Sequence, residues 1–207
     1  MEEESEKEDE PRAILDDSPK KSKKTFYIIL FLAVIVIAII YKPYLTGNTI
    51  NNMENTQVKL TTNHGDIIIQ LYEDMPITTG NFKNLAEKGT YEGVIFHRII
   101  DGFMIQGGDP TGTGMGDPSI PNIQDEFTHE GGNNNKRGTI SMANAGPNTG
   151  SSQFFINLVN NNFLDTKHPA FGEVTQGMDI VDKIAKVQTG PGDKPVEDVI
   201  IQKAEIL

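Results

Sequence analysis

An Asp101-Gly102 pair stands between two largely apolar runs, Val94–Ile100 and Phe103–Gln106, and no other feature constrains the fold of this chain as tightly. Asp-Gly between strand-like runs is a hairpin signal, because glycine enters left-handed backbone that other residues avoid. Pairing the two runs brings Arg98, Phe103, Met104 and Gln106 close together. A permanently charged guanidinium beside bulky apolar side chains is costly to bury unless it is hydrogen-bonded. Arg98 is therefore either a functional cation or an incidental arginine on a surface hairpin.

Similar punctuation continues along the chain. Val58–Thr62 and Asp66–Leu71 read as strands joined by Asn63-His64-Gly65. Ile77–Lys88 reads as a helix with Phe82, Leu85 and Ala86 on one side and Gly89 as its stop. Residues 107–138 are rich in Gly, Asn, Pro and Asp, which predicts ordered loops. Further strands are expected at Thr139–Ala143, Gln153–Asn157, Ala170–Val174 and Glu197–Ile206, and a second helix at Gly177–Lys186. Many short strands with two helices predict a mainly β protein, a closed barrel with helices over its ends.

The N-terminal part is organised differently. Residues 1–24 form a charged tail, acidic from Glu2 to Glu10 and closing on Lys20, Lys21, Lys23 and Lys24; such a composition predicts disorder. Residues 25–41 (TFYIILFLAVIVIAIIY) carry no charge, glycine or proline. A bilayer core needs about 20 apolar residues, with about 17 at the short end, so one transmembrane helix is expected here. A buried core helix would need apolar flanks, and a cleaved signal peptide would need a shorter leader and an Ala-x-Ala-like site after the run. Lys42-Pro43-Tyr44-Leu45 offers no such site. Four lysines before the span, against Lys42 after it, predict a cytoplasmic N-terminus with the folded part on the extracytoplasmic side. Tyr27, Tyr41 and Tyr44 suit the two interfaces. Residues 42–57 are a polar linker, and residues 58–207 are the expected domain.

Bulk properties exclude several functions. The formal net charge is −11, which argues against nucleic-acid binding. The chain has no cysteine, so thiol catalysis and Cys-ligated metals are excluded. The four histidines, His64, His97, His129 and His168, lack metal-ligand spacing, and no metal or cofactor is expected. There is no phosphate-binding loop, no nucleophile elbow and no zinc helix.

Three blocks remain: FHRIIDGFMIQGGD from Phe96, MANAGPNTGSSQFFI from Met142 and FLDTKHPAFGEV from Phe163. Together, and in this order, they resemble the cyclophilins, the cyclosporin-binding family of peptidyl-prolyl cis-trans isomerases. The resemblance runs from about Val58 to Leu207. It implies an eight-stranded antiparallel barrel with two capping helices and a groove on the barrel's outer face. It also implies a catalytic role for Arg98 with Gln106 beside it, and a proline pocket of Phe103, Met104, Phe155 and Leu164. Ala143, Asn144, Ala145 and Gln153 would line the groove against substrate backbone. His168 would stand at the pocket edge, and His97 would be structural. On residue type alone, Phe103, Met104, Phe155 and Leu164 could equally be barrel core, and Asn144 and Gln153 loop braces.

One position departs from the pattern. Phe163 stands where cyclosporin-sensitive members carry tryptophan, and phenylalanine lacks the indole N–H donor, so cyclosporin binding should be weakened. The expected substrates are proline-containing unfolded or newly exported polypeptides, handled by a monomeric domain. The alternative is a membrane-tethered proline-peptide binding or chaperone module whose isomerase activity is incidental.

Overall fold

The computed structural model describes residues 56–207; the charged tail, the expected membrane span and nearly all of the linker lie outside them. Among the described residues, no helix is long and apolar enough to cross a membrane. The described part is one eight-stranded antiparallel sheet, curled on itself, with two helices. In chain order the elements are β1 Gln57–Thr62, β2 Gly65–Leu71, α1 Pro76–Glu87, β3 Arg98–Ile100 and β4 Met104–Gly107. They continue with β5 Thr139–Met142, β6 Phe154–Asn157, β7 Ala170–Gln176, α2 Met178–Ala185 and β8 Ile201–Ile206. Neighbours in the sheet run β3-β4-β6-β5-β7-β2-β1-β8.

Alternation explains the sheet. In β1, Val58, Leu60 and Thr62 are buried, as are Ile67, Ile69 and Leu71 in β2, while the residues between face outward. The interior is aromatic near its centre. Phe154 meets Phe82, Tyr91 and Phe96 edge-on at centroid separations of 5.4, 5.6 and 6.1 Å, an arrangement that aromatic quadrupoles favour. Phe82, Leu85 and Ala86 of α1 and Val181, Ile184 and Ala185 of α2 belong to the same core cluster.

α1 ends as its sequence dictates. Gly89 takes φ +70°, its N–H donates to Ala86 O, and the Thr90 N–H donates to Leu85 O, which satisfies the last carbonyls in a Schellman arrangement. Its start has a tertiary device. Met75 offers no capping side chain, and the buried Glu126 carboxylate accepts the N–H groups of Ile77 (3.3 Å) and Thr78 (2.8 Å) instead.

Two strand expectations need correction. The run Val94–Ile100 is strand only from Arg98, and Glu197–Ile206 only from Ile201. The missing portions form the seam of the curled sheet. Its outer strands, β3 and β8, share no ladder; the chain leading into each meets through an Ile95–Ile200 bridge, with Phe96 N–H donating to Val199 O (2.9 Å) and Ile201 N–H to Val94 O (2.8 Å). The closed barrel expected from the sequence is therefore corrected to a curled sheet, whose two outer strands meet only through these isolated hydrogen bonds. Residues 108–138 contain no named helix or strand.

Candidate active site

Strand parity decides which side chains leave the core. Directly opposed residues of an antiparallel pair share a face. The register sets Arg98 opposite Gln106, Gln106 opposite Phe155, and Phe155 opposite Ser141. The adjoining row, Ile99, Ile105, Ile156 and Ile140, belongs to the core cluster. Arg98, Gln106 and Phe155 therefore project from the opposite face, with Met104 one step along. Met104 and Phe155 are only 2% and 5% exposed, yet neither joins the core cluster, so their burial comes from the outer side. Phe103 enters from the β3–β4 turn. Gly102 takes φ +72° there, and the Phe103 N–H donates to Ile100 O at 3.0 Å.

The remaining wall comes from a segment far along the chain. A single 3-10 turn, Asn162–Leu164, carries Phe163 and Leu164, and His168 follows it. Buried amides hold this segment. The Asn161 side chain donates to Phe103 O (3.0 Å) and to Asn157 Oδ1 (2.8 Å), and Asn157 donates to the Thr139 hydroxyl (2.9 Å). The Asn135 side chain donates to His168 O (3.1 Å), while its backbone N–H donates to Asp165 (2.6 Å). Asn157 also donates to Asn135 Oδ1 (3.4 Å) and the Asn161 N–H to Asn135 O (2.7 Å), so these buried amides are partnered, as buried polar groups require. One network thus ties Phe103 to the loop bearing Leu164 and His168.

The result is a cavity of about 170 Å³ lined by Arg98, Phe103, Met104, Gln106, Ala143, Asn144, Phe155, Leu164 and His168. His168 points its Nδ1 at Met142 O (3.1 Å), so Nδ1 carries the proton, and its ring stands edge-on to Phe155. Phe163 lies at the rim, 68% exposed, with its ring stacked on Phe103 at 6.0 Å. Ala145 and Gln153 lie in an adjoining hollow of about 550 Å³ that shares Gln106, Ala143 and Asn144 with the first. The side-chain amides of Asn144 and Gln153 serve as braces. Asn144 donates to Lys167 O (2.8 Å); Gln153 donates to Gly114 O (3.1 Å) and accepts from Gln106 (3.0 Å).

Two acidic residues organise this region, and sequence reasoning singled out neither. Asp193, on a 3-10 turn at Pro191–Asp193, accepts the Arg98 Nε–H at 3.4 Å across a half-exposed pair. Nothing in the spacing connects two residues so far apart. Asp109 is fully buried and accepts five hydrogen bonds: from the Thr111 N–H and hydroxyl, the Thr113 hydroxyl, and the Gly114 and Gly116 N–H groups. Burial alone would raise its pKa; the donors outweigh it and hold the carboxyl below its ordinary value. The run Asp109-Pro110-Thr111-Gly112-Thr113-Gly114 carries the signal that could have shown this, an Asp whose side chain bonds the backbone two residues on. His97 packs against Gly114, where an added Cβ would come within 3.2 Å of its ring. Burial lowers its pKa, with Asp109 opposing and Arg98 and Lys194 adding to the effect, so it is neutral at pH 7.

This assembly has a fixed cation, braced amides and an apolar socket, which suits rotation about a bond. The family comparisons agree. Residues 57–206 match the family model for cyclophilin type peptidyl-prolyl cis-trans isomerases. The chain is 48% identical over 152 residues to the peptidyl-prolyl cis-trans isomerase ppi1 of Schizosaccharomyces pombe, covering 72% of this chain and 98% of that one. It is 48% identical over 150 residues to the mouse peptidyl-prolyl cis-trans isomerase-like 1, covering 71% and 90%. A crystal structure of a Cryptosporidium parvum cyclophilin type isomerase superimposes with a TM-score of 0.69 at 34% identity, covering 73% and 97%. The same protein in the presence of the dipeptide Ala-Pro gives a TM-score of 0.68 at 35% identity, covering 73% and 98%. On these grounds the chain belongs to the cyclophilin-type peptidyl-prolyl cis-trans isomerases.

Proposed function

We propose that this isomerase acts on proline-containing polypeptides close to a membrane, with Arg98 as the group that stabilises the twisted amide. The carrying observation is the position of Arg98, in register with Gln106 and Phe155 on the wall of the cavity that Phe103, Met104 and Leu164 also line. Rotation about a peptide bond breaks amide resonance, with a barrier of about 18–20 kcal/mol. X–Pro bonds exchange over tens to hundreds of seconds without help, slowly enough to limit folding. No covalent bond changes, so neither nucleophile nor proton shuttle is needed. As the bond twists, the proline nitrogen becomes pyramidal and regains its lone pair. A guanidinium donor aimed at that nitrogen stabilises the twisted form more than either planar form, which is selective transition-state binding. With Nε committed to Asp193, the terminal amino groups of Arg98 are the donors for this role. Phe103, Met104, Phe155 and Leu164 hold the ring, and the groove beside Ala143–Ala145 takes the flanking backbone. The relative whose structure was obtained with Ala-Pro supports a prolyl peptide as ligand.

Exchange of a short X–Pro peptide, followed by NMR, tests the reading. Arg98→Ala should lower kcat/KM by about 10²–10³-fold, as loss of one preorganised donor does elsewhere. Equal rates in the two proteins would overturn the assignment.

The membrane part of the reading rests on the sequence of residues 25–41 and the lysine asymmetry around it. It places the isomerase domain on the extracytoplasmic side, where newly exported chains are unfolded. Full-length protein should resist alkaline extraction, and in intact cells protease added outside should digest the domain and spare the N-terminal tail. Release by alkali would sink the anchor, and the opposite protection pattern would sink the orientation.

A further inference from the structure

The proline cavity is the first of three connected hollows. It shares Gln106, Ala143 and Asn144 with the second, and the second shares Asp117, Ile120 and Pro121 with a third of about 500 Å³. This third hollow lies between α1, which contributes Asn81, Asn84 and Leu85, and the 110–123 loop, with Lys88 and Thr90 just beyond the helix. The 117–121 segment is the ridge between the second and third hollows.

The walls are tied in place. Ile123 N–H donates to Gly150 O at 2.7 Å, Asn81 joins α1 to Ser151 O, and Asp109 clamps the loop ahead of the ridge. A trough built in advance binds an extended chain without a further ordering cost in the protein. Its floor is mixed, with apolar Leu85, Ile120 and Ile123 beside amide and hydroxyl groups, as polypeptide backbone and side chains both need. Its titratable lining groups are Lys88, at the C-terminal end of α1, and Asp117, on the ridge.

We propose that this third hollow is a remote substrate subsite, occupied by the polypeptide segment that flanks the X–Pro bond on one side, and that Lys88 selects an acidic side chain there. Continuity with the proline cavity identifies the occupant: a chain lying in the first two hollows leaves across the ridge into the third. The inference rests on the catalytic reading above and adds a length and charge preference to it.

The test uses the full chain in detergent micelles. A prolyl tetrapeptide is compared with decapeptides extended toward the N- or the C-terminus, each carrying either glutamate or lysine in the extension. Extension on one flank should lower KM while kcat stays constant. Glutamate should be preferred to lysine by about three- to five-fold, the effect of one exposed ion pair. Lys88→Glu should invert that preference and leave tetrapeptide turnover unchanged. Equal KM for short and extended peptides, or the same charge ranking in Lys88→Glu, would overturn the subsite. Tetrapeptide turnover and its loss in Arg98→Ala judge the catalytic reading separately.

Discussion

Replacing Asp109 by asparagine changes one oxygen to an amide and tests how much of the groove hangs on a single carboxylate. Oδ1 takes the Thr111 N–H (2.9 Å) and hydroxyl (2.8 Å); Oδ2 takes the Gly114 N–H (2.7 Å), the Gly116 N–H (3.1 Å) and the Thr113 hydroxyl (3.4 Å). An asparagine can keep its oxygen toward the two glycine N–H groups, and its NH₂ then faces the Thr111 N–H, a donor that cannot turn away. One buried donor is orphaned, and the bonds that remain lose their charge assistance. At roughly 1 kcal/mol for each effect, Asp109→Asn should cost about 2–3 kcal/mol. With a typical urea dependence of about 1–3 kcal/mol/M, the unfolding midpoint should fall by roughly 0.7–3 M at pH 7. The pH dependence has a definite sign. Asp109 titrates below its ordinary value in the folded protein, so its stabilisation is complete above about pH 4 and disappears as pH falls through the lowered value. The gap between wild type and variant should therefore close in acid. Activity should drop mainly through KM, because Gly114 braces Gln153, which in turn braces Gln106. Urea unfolding by far-UV circular dichroism, at pH 7 and at steps down into acid, measures the effect. Equal midpoints at pH 7, or a gap that does not narrow as the pH falls, would refute the reasoning.

Two other substitutions test separate parts of the argument. Glu126→Ala should destabilise the protein by about 1–2 kcal/mol, the usual worth of a helix cap, and speed amide exchange at Ile77 and Thr78; unchanged protection there would show that α1 needs no cap from the loop. Phe163→Trp restores an N–H donor at an exposed rim position and should tighten cyclosporin binding by about two- to ten-fold, as one added hydrogen bond would, measured by calorimetry. Equal affinities would show that Phe163 does not limit the drug.

Local signals were legible because they act over short distances. Gly89 stops α1 and Gly102 turns the β3–β4 hairpin, each with positive φ, and both follow from the absence of a Cβ. Alternation marked β1 and β2 for the same kind of reason. The two segments that read as strand but are not, Val94–His97 and Glu197–Ile200, also have a local cause. Their composition suits a strand, but at the seam their backbone groups pair one at a time with distant residues.

The sequence by itself determined the family through three ordered blocks, the mainly β pattern, and an uncharged apolar run ahead of the domain. Only the tertiary structure decided that Met104 and Phe155 line a cavity while Ile105 and Phe154 fill the core, because one step in register separates the two faces. It also decided that Asp193 meets Arg98, that Asp109 and Glu126 support elements far from themselves, and that Asn135, Asn157 and Asn161 hold the pocket wall. Those pairings join residues distant in the chain, and a polar side chain carries no mark of its partner until folding removes the water it would otherwise bind.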